Sequence, residues 1–142
     1  IKIISDDQYA GATQSMALVK AENLLTRHAG KIDGWFCPCE PVTSATAQAV
    51  KNAGLSGKIK IVGFDTGADV IQALREGTIN GLVVQDPIQM GYLGVRMVVD
   101  KIQNKPVKPQ VSTGEYLITA DNMDTDRNKE LHSPNLGQWL GE

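Results

Sequence analysis

Lys60-Ile61-Val62-Gly63-Phe64-Asp65-Thr66-Gly67 and, after a short amphipathic stretch, Gly81-Leu82-Val83-Val84-Gln85-Asp86-Pro87 decide the fold. Each apolar run is short, rich in β-branched residues and ended by a polar side chain. That is the pattern of a parallel strand buried on both faces. In open α/β sheets, ligands bind outside the carboxyl ends of the strands, and Asp65 and Gln85 stand at two such ends. An ionised carboxylate only accepts hydrogen bonds, whereas an amide donates and accepts. Together they suit a neutral polyhydroxylated ligand. Both residue types also cap turns, and the two residues alone leave both readings open.

Working outward, the punctuation is regular. Lys2-Ile3-Ile4-Ser5 reads as a short strand, and the polar, glycine-containing stretch 6–12 as a loop at its carboxyl end. Ala17, Leu18, Ala21, Leu24 and Leu25 fall at helical spacing within 13–28, and Gly30 ends that helix. Ile32-Asp33-Gly34-Trp35-Phe36-Cys37 is a second strand, with Trp35 expected in the core rather than stacked on a ligand. Pro41 suits the first turn of a helix, where its missing N–H is harmless. That helix runs to about Ala53 and stops at Gly54. After the strand at 60–64, Val70, Ile71 and Leu74 mark a helix that stops at Gly77. Pro87 opens another, with an apolar stripe of Ile88, Gly91, Tyr92, Val95, Val98, Val99 and Ile102. Pro106 and Pro109 break the chain before a last strand, Gly114-Glu115-Tyr116-Leu117-Ile118. The polar tail carries a short helix near 127–131, and Trp139 either caps the structure or lies free. Alternating strands and helices require an α/β fold: a parallel flavodoxin-like sheet with right-handed crossovers and helices on both faces.

The chain has 142 residues, enough for one domain with a substantial core. A formal net charge of -2 without a basic stripe argues against nucleic acid as a partner. No apolar run approaches the roughly 20 residues that span a bilayer. The chain starts at Ile1 inside a strand-like segment, as a mature or excised chain would. Cys37 and Cys39 flank Pro38. A disulfide across one residue is strained, and two thiols without a second pair or a nearby histidine make a poor zinc site. Cys37 is expected as a small apolar side chain and Cys39 as a free thiol. Asp121, Asp124 and Asp126 lack the glycine and distal glutamate of a calcium loop. No catalytic residue, metal ligand or cofactor is assigned. Cys39 with His28 or His132 is the one conceivable nucleophile and base, and neither histidine is placed for a dyad. Gly63 and Gly67 lack the spacing of a phosphate-binding loop.

A family likeness rests on Ser5-Asp6-Asp7-Gln8-Tyr9-Ala10-Gly11-Ala12-Thr13, Ile32-Asp33-Gly34-Trp35-Phe36-Cys37-Pro38, Val62-Gly63-Phe64-Asp65, Gly81-Leu82-Val83-Val84-Gln85-Asp86-Pro87 and Met90-Gly91-Tyr92-Leu93-Gly94-Val95. In this order and spacing the chain resembles the C-terminal part of type I periplasmic sugar-binding proteins, the ribose-binding-like receptors of ABC transporters. The likeness extends to about Asp124. It implies a partial lobe in two parts: 1–86 as the sugar-binding half of the C-terminal lobe, and 87–142 as hinge, crossover helix and C-terminal strand and tail. It implies that Asp65 accepts from sugar hydroxyls, that Gln85 contacts sugar at the hinge, and that the loop around Tyr9 and Thr13 faces the ligand. The family's stacking aromatic falls near Ala12, which cannot stack, so Tyr9 is its substitute. The family's asparagine falls at Cys39, and a thiol matches hydroxyls poorly, so the resemblance implies that the sugar contact at this turn is weakened, changed in specificity, or taken over by Glu40.

The implied partners are a small sugar ligand and an ABC permease. The implied location is periplasmic or extracellular, with or without a lipid anchor. The family's upstream lobe has no counterpart here, so the helix at 88–104 is expected either to fold back on its own sheet, to meet that missing N-terminal lobe, or to self-associate. The alternative is the effector-binding domain of a LacI-like transcription regulator, which shares the lobe architecture.

Overall fold

The computed structural model describes residues 1–11 and 13–141, without the side chains of 138 and 139. The expectations placed on Ala12 and Trp139 lie outside those described residues. The elements are α1 (Gln14–Arg27), β1 (Gly34–Phe36), α2 (Glu40–Asn52), β2 (Lys60–Phe64), α3 (Ala68–Arg75), β3 (Gly81–Val84), α4 (Pro87–Ile102), β4 (Tyr116–Ile118), α5 (Asp126–His132) and α6 (Gly137–Leu140). β2 and β3 occupy the two short apolar runs that end at Asp65 and Gln85.

The strands lie in sequence order, β1-β2-β3-β4. β1, β2 and β3 are parallel, and β4 pairs antiparallel with β3 in the register Val84↔Tyr116. The sheet is therefore mixed, not wholly parallel. The chain leaves the sheet at the carboxyl end of β3 and returns through 103–115 to that same edge, so β4 can only run back down.

Residues 2–5 form no strand, contrary to the sequence expectation. Ile3 is 71% exposed and pairs with nothing in the sheet. A β-branched run becomes a strand only where a neighbour takes up its backbone groups. β1 is likewise shorter than its apolar run.

Right-handed crossovers between successive neighbours deposit their helices on one face. On that face Ile61, Leu82, Val84 and Ile118 are buried against Ala45, Ala49 and Val50 of α2 and Val70 and Leu74 of α3. α1 adds Ala17, Ala21 and Leu25, and the tail adds Met123 and Leu131. Each large aliphatic side chain so buried contributes roughly 1.5–3 kcal/mol. Chain beyond Pro87 thus rejoins the same core. α2 approaches β2 closely: a Cβ on Gly63 would stand 2.2 Å from Thr43 Cγ2. Thr43 fixes the contact by accepting from the Phe64 amide at 3.2 Å and donating to the Cys39 carbonyl at 2.9 Å.

The opposite face corrects the expectation of helices on both sides. Alternation along the strands places Phe36, Val62, Phe64, Val83 and Leu117 there. Phe36 is 61% and Leu117 58% exposed. α4 does not cover this face, because none of its residues is buried. The return of this helix onto its own sheet therefore does not occur. The chain exposes 9522 Å², whereas a compact monomer of 15.3 kDa exposes roughly 7100 Å².

Candidate functional site

The turn after β2 carries Asp65, and the turn after β3 carries Gln85. Parallel neighbours end on the same edge, so the two side chains meet: Gln85 Nε2 donates to Asp65 Oδ1 at 3.1 Å. Asp65 adopts φ +61°, a left-handed backbone, and its amide donates to the Val83 carbonyl at 2.9 Å. Both side chains are half-buried. The bond uses one carboxylate oxygen and one amide hydrogen. A second oxygen on Asp65, and the carbonyl and remaining hydrogen of Gln85, are the inventory that hydroxyl groups require.

Glu40 opens α2 beside this pair. Its Oε1 lies so near Gly67, at the start of α3, that a Cβ there would be 3.0 Å away. Burial, then the negative charges of Asp69 and Asp65, hold its carboxyl above the usual range. Ser44 of α2 donates to Asp69 and accepts from Gln14 Nε2 of α1 at 2.7 Å. The carboxyl edge is therefore acidic and cross-braced over three helices.

The remaining candidates are placed differently. Cys39 is the N-cap of α2 and makes no side-chain capping bond. It is half-buried on a groove of about 340 Å³ shared with Tyr9, Lys20, Trp35 and Phe36. Tyr9 is 91% exposed, and its loop is tied to α1 by Lys20 Nζ donating to Gln8 Oε1 at 3.3 Å. Thr13 caps α1, its Oγ1 accepting from the Met16 amide at 3.3 Å. Its hydroxyl thus has a structural task. Cys37 is fully buried and its thiol is pushed up to about 11, chiefly by that burial.

A further cluster forms around Asp86, Arg127 and Tyr116. Asp86 Oδ1 accepts from the Gln89 amide at 2.9 Å, capping α4. Its Oδ2 accepts from Arg127 at 2.8 Å. Arg127 also donates to the Tyr116 hydroxyl at 2.9 Å and stacks 4.8 Å from that ring's centroid. The Gln89 amide, then Arg127, lowers the Asp86 carboxyl, and Arg127 is held well above its ordinary value. Asp86 before Pro87 is a legible helix start, but nothing local marks Arg127 as its partner. Gln85 thus faces the acidic edge while its neighbour anchors α4, and a groove of about 650 Å³ opens alongside, lined by Ile88, Tyr92, Arg127 and Leu131. Among the described residues, no group of three or more His, Cys, Asp or Glu is arranged to hold a metal ion.

This architecture recurs in solved receptors. The chain superimposes with a TM-score of 0.86 on a carbohydrate-transporter solute-binding protein of Agrobacterium radiobacter in complex with D-arabinose, at 33% identity, covering 92% of this chain and 43% of that one. It matches an ABC-transporter solute-binding protein of Agrobacterium vitis with bound D-fucose at a TM-score of 0.85 and 28% identity, covering 90% and 44%. In sequence it is 30% identical over 116 residues to the D-allose-binding periplasmic protein of Escherichia coli, covering 82% of this chain and 37% of that protein. The chain therefore spans well under half the length of these relatives. The family model for a periplasmic binding protein domain matches residues 1–106. The chain belongs to the periplasmic binding protein domain family.

Proposed function

We propose that this chain supplies one wall of the sugar site in an ABC-transporter solute receptor, working outside the cytoplasmic membrane. The observation that carries this is the Asp65–Gln85 pair, bonded at the carboxyl ends of two adjacent parallel strands. That edge is where open α/β sheets bind ligands, and a carboxylate beside an amide offers the acceptors and donors that a monosaccharide's hydroxyls need. In this reading Asp65 and Gln85 contact the sugar, and Glu40 and Cys39 line the rim. Tyr9 closes over it from the neighbouring loop, while Thr13 holds that loop to α1. The opposing wall comes from an upstream lobe, and a permease receives the ligand.

Calorimetric titration of the two-lobed receptor with D-allose, D-xylose, D-arabinose and D-fucose tests the reading. Saturable binding of at least one sugar is expected. Asp65→Asn is expected to weaken it by on the order of 1–3 kcal/mol, because a charged acceptor becomes a neutral amide. Binding that is indifferent to this substitution removes Asp65 from the site, and no binding of any monosaccharide overturns the reading.

A further inference from the structure

We propose that Arg127 is a positioning residue for Gln85. It ties together the two crossings by which the chain leaves the sheet for α4 and comes back, and so fixes the peptide from which Gln85 reaches Asp65. What Gln85 then does with a ligand rests on the sugar-site reading above. The tie itself stands on bonds within the chain and holds whatever covers α4.

The chain departs at Gln85-Asp86 and returns at Tyr116, and these ends are neighbours because Val84 and Tyr116 are register partners. Arg127 Nη2 uses both its hydrogens here. It donates to Asp86 Oδ2 at 2.8 Å on the outgoing side and to the Tyr116 hydroxyl at 2.9 Å on the returning side. Tyr116 in turn packs on the end of the return: a Cβ on Gly114, whose φ is +81°, would stand 3.3 Å from the Tyr116 hydroxyl oxygen. The base of the tie is also fixed. Leu131 docks α5 at 6% exposure, and Asn128 Nδ2 donates to the Asn122 carbonyl at 2.9 Å.

The consequence falls on Gln85. Val84 before it is buried in β3, and Asp86 after it is 7% exposed. Asp86 holds the first turn of α4 through the Gln89 amide, and Arg127 anchors Asp86 to the tail. Successive side chains leave an extended backbone on opposite sides. With Asp86 turned to Arg127, Gln85 is turned to Asp65, which it meets at 3.1 Å. A binding group works best when held within about 0.5 Å of its productive place, and order completed before the ligand arrives does not oppose binding. Arg127 bonds Asp86, Tyr116 and Glu130, none of which the reading gives to the ligand, so it acts through Asp86. Arg75 supplies a comparison: it pairs with Asp124 of the same tail at 3.3 Å and bonds to neither crossing.

Nitrogen-15 spectra of the 142-residue chain follow the Gln85 side-chain amide directly. In the parent its protons are expected to exchange slowly, one being bonded to Asp65. Arg127→Met is expected to shift them and to quicken their exchange by about threefold or more. Arg127→Lys keeps a donor for Asp86 and is expected to preserve part of the parent behaviour. Tyr116→Phe removes the return bond alone and is expected to give a smaller change of the same sign, and Arg75→Met none. Circular dichroism verifies that each variant is folded.

Calorimetry on the two-lobed receptor then asks whether the effect passes through Gln85. Arg127→Met is expected to weaken sugar binding by about three- to tenfold. Where Gln85 is already alanine, the same change is expected to weaken it by less than about twofold. A Gln85 amide indifferent to Arg127→Met and Tyr116→Phe, an equal response to Arg75→Met, or the same loss of affinity with and without the Gln85 side chain would each overturn the proposal. A receptor that binds no monosaccharide overturns the sugar reading alone, and the Gln85 amide then decides the positioning by itself.

Discussion

Arg127 donates to the Asp86 carboxylate at 2.8 Å across 41 residues of sequence. That bond ties the polar tail to the root of α4. No residue of α4 is buried, so packing along its length does not fix its direction. Its first turn does, through Asp86.

Arg127→Met is therefore expected to lower stability by about 1–2 kcal/mol, since it leaves a nearly buried carboxylate with one partner fewer. Tyr116→Phe removes only a hydroxyl and should cost less, about 0.5–1 kcal/mol. Urea unfolding measures both. Amide exchange should also quicken in the first turn of α4 in Arg127→Met, while the amides of α2 remain protected.

The same carboxylate sets a pH dependence. The Asp86 carboxyl is held below its ordinary 3.8 by the Gln89 amide and Arg127. A depressed carboxyl stabilises the fold fully above its unfolded value and loses that contribution as pH falls through the folded one. Asp86→Asn should therefore be less stable than the parent at neutral pH, with the difference holding down to about pH 3.8 and shrinking only as pH falls below that, through the lowered folded value. Denaturant midpoints across that window decide it. Glu40 carries the opposite sign: its carboxyl is raised, so its ionisation opposes folding as pH rises, and Glu40→Gln should relieve that at neutral pH.

Gly63→Ala should cost about 1–3 kcal/mol by overpacking α2 against β2, because the new methyl meets Thr43 Cγ2 at 2.2 Å and Oγ1 at 2.8 Å. Adding Thr43→Ser removes the nearer atom and keeps the hydroxyl that bonds the Phe64 amide. The double variant should recover part of the loss, a coupling between contacting residues that a double-mutant cycle will read.

Cys39→Asn should stabilise the chain by about 1 kcal/mol, because the N-cap of α2 makes no side-chain bond now and an asparagine supplies one. Thermal unfolding tests that. In the proposed two-lobed receptor the same change is expected to tighten sugar binding, by placing an amide on the proposed rim.

What the sequence disclosed was local. β2 and β3 were legible because Ile61-Val62 and Leu82-Val83-Val84 are compact apolar runs closed by polar residues. Gly77 and Pro87 marked helix ends, since a positive φ and a missing N–H are properties of single residues. The meeting of Asp65 and Gln85 followed from parallel order. What stayed hidden depended on partners distant in the chain. Residues 2–5 have a strand's composition and no strand beside them. Phe36 and Leu117 alternate as sheet residues do, but alternation does not say whether a helix lies opposite. Arg127 resembles any tail cation until Asp86 and Tyr116 are folded against it.

The backbone at Asp65 has a further consequence. Its left-handed conformation is one glycine adopts freely, and a side-chain-bearing residue held there sacrifices on the order of 1 kcal/mol. Asp65→Gly would relax the turn and erase the carboxylate that Gln85 touches. A library screened only for thermostability would drift toward glycine at this position, while, on the proposed sugar-site reading, one screened for ligand capture would hold the aspartate. The turn after β2 is thus a place where the two selections diverge, and sequencing the survivors of each would reveal which pressure has governed this residue.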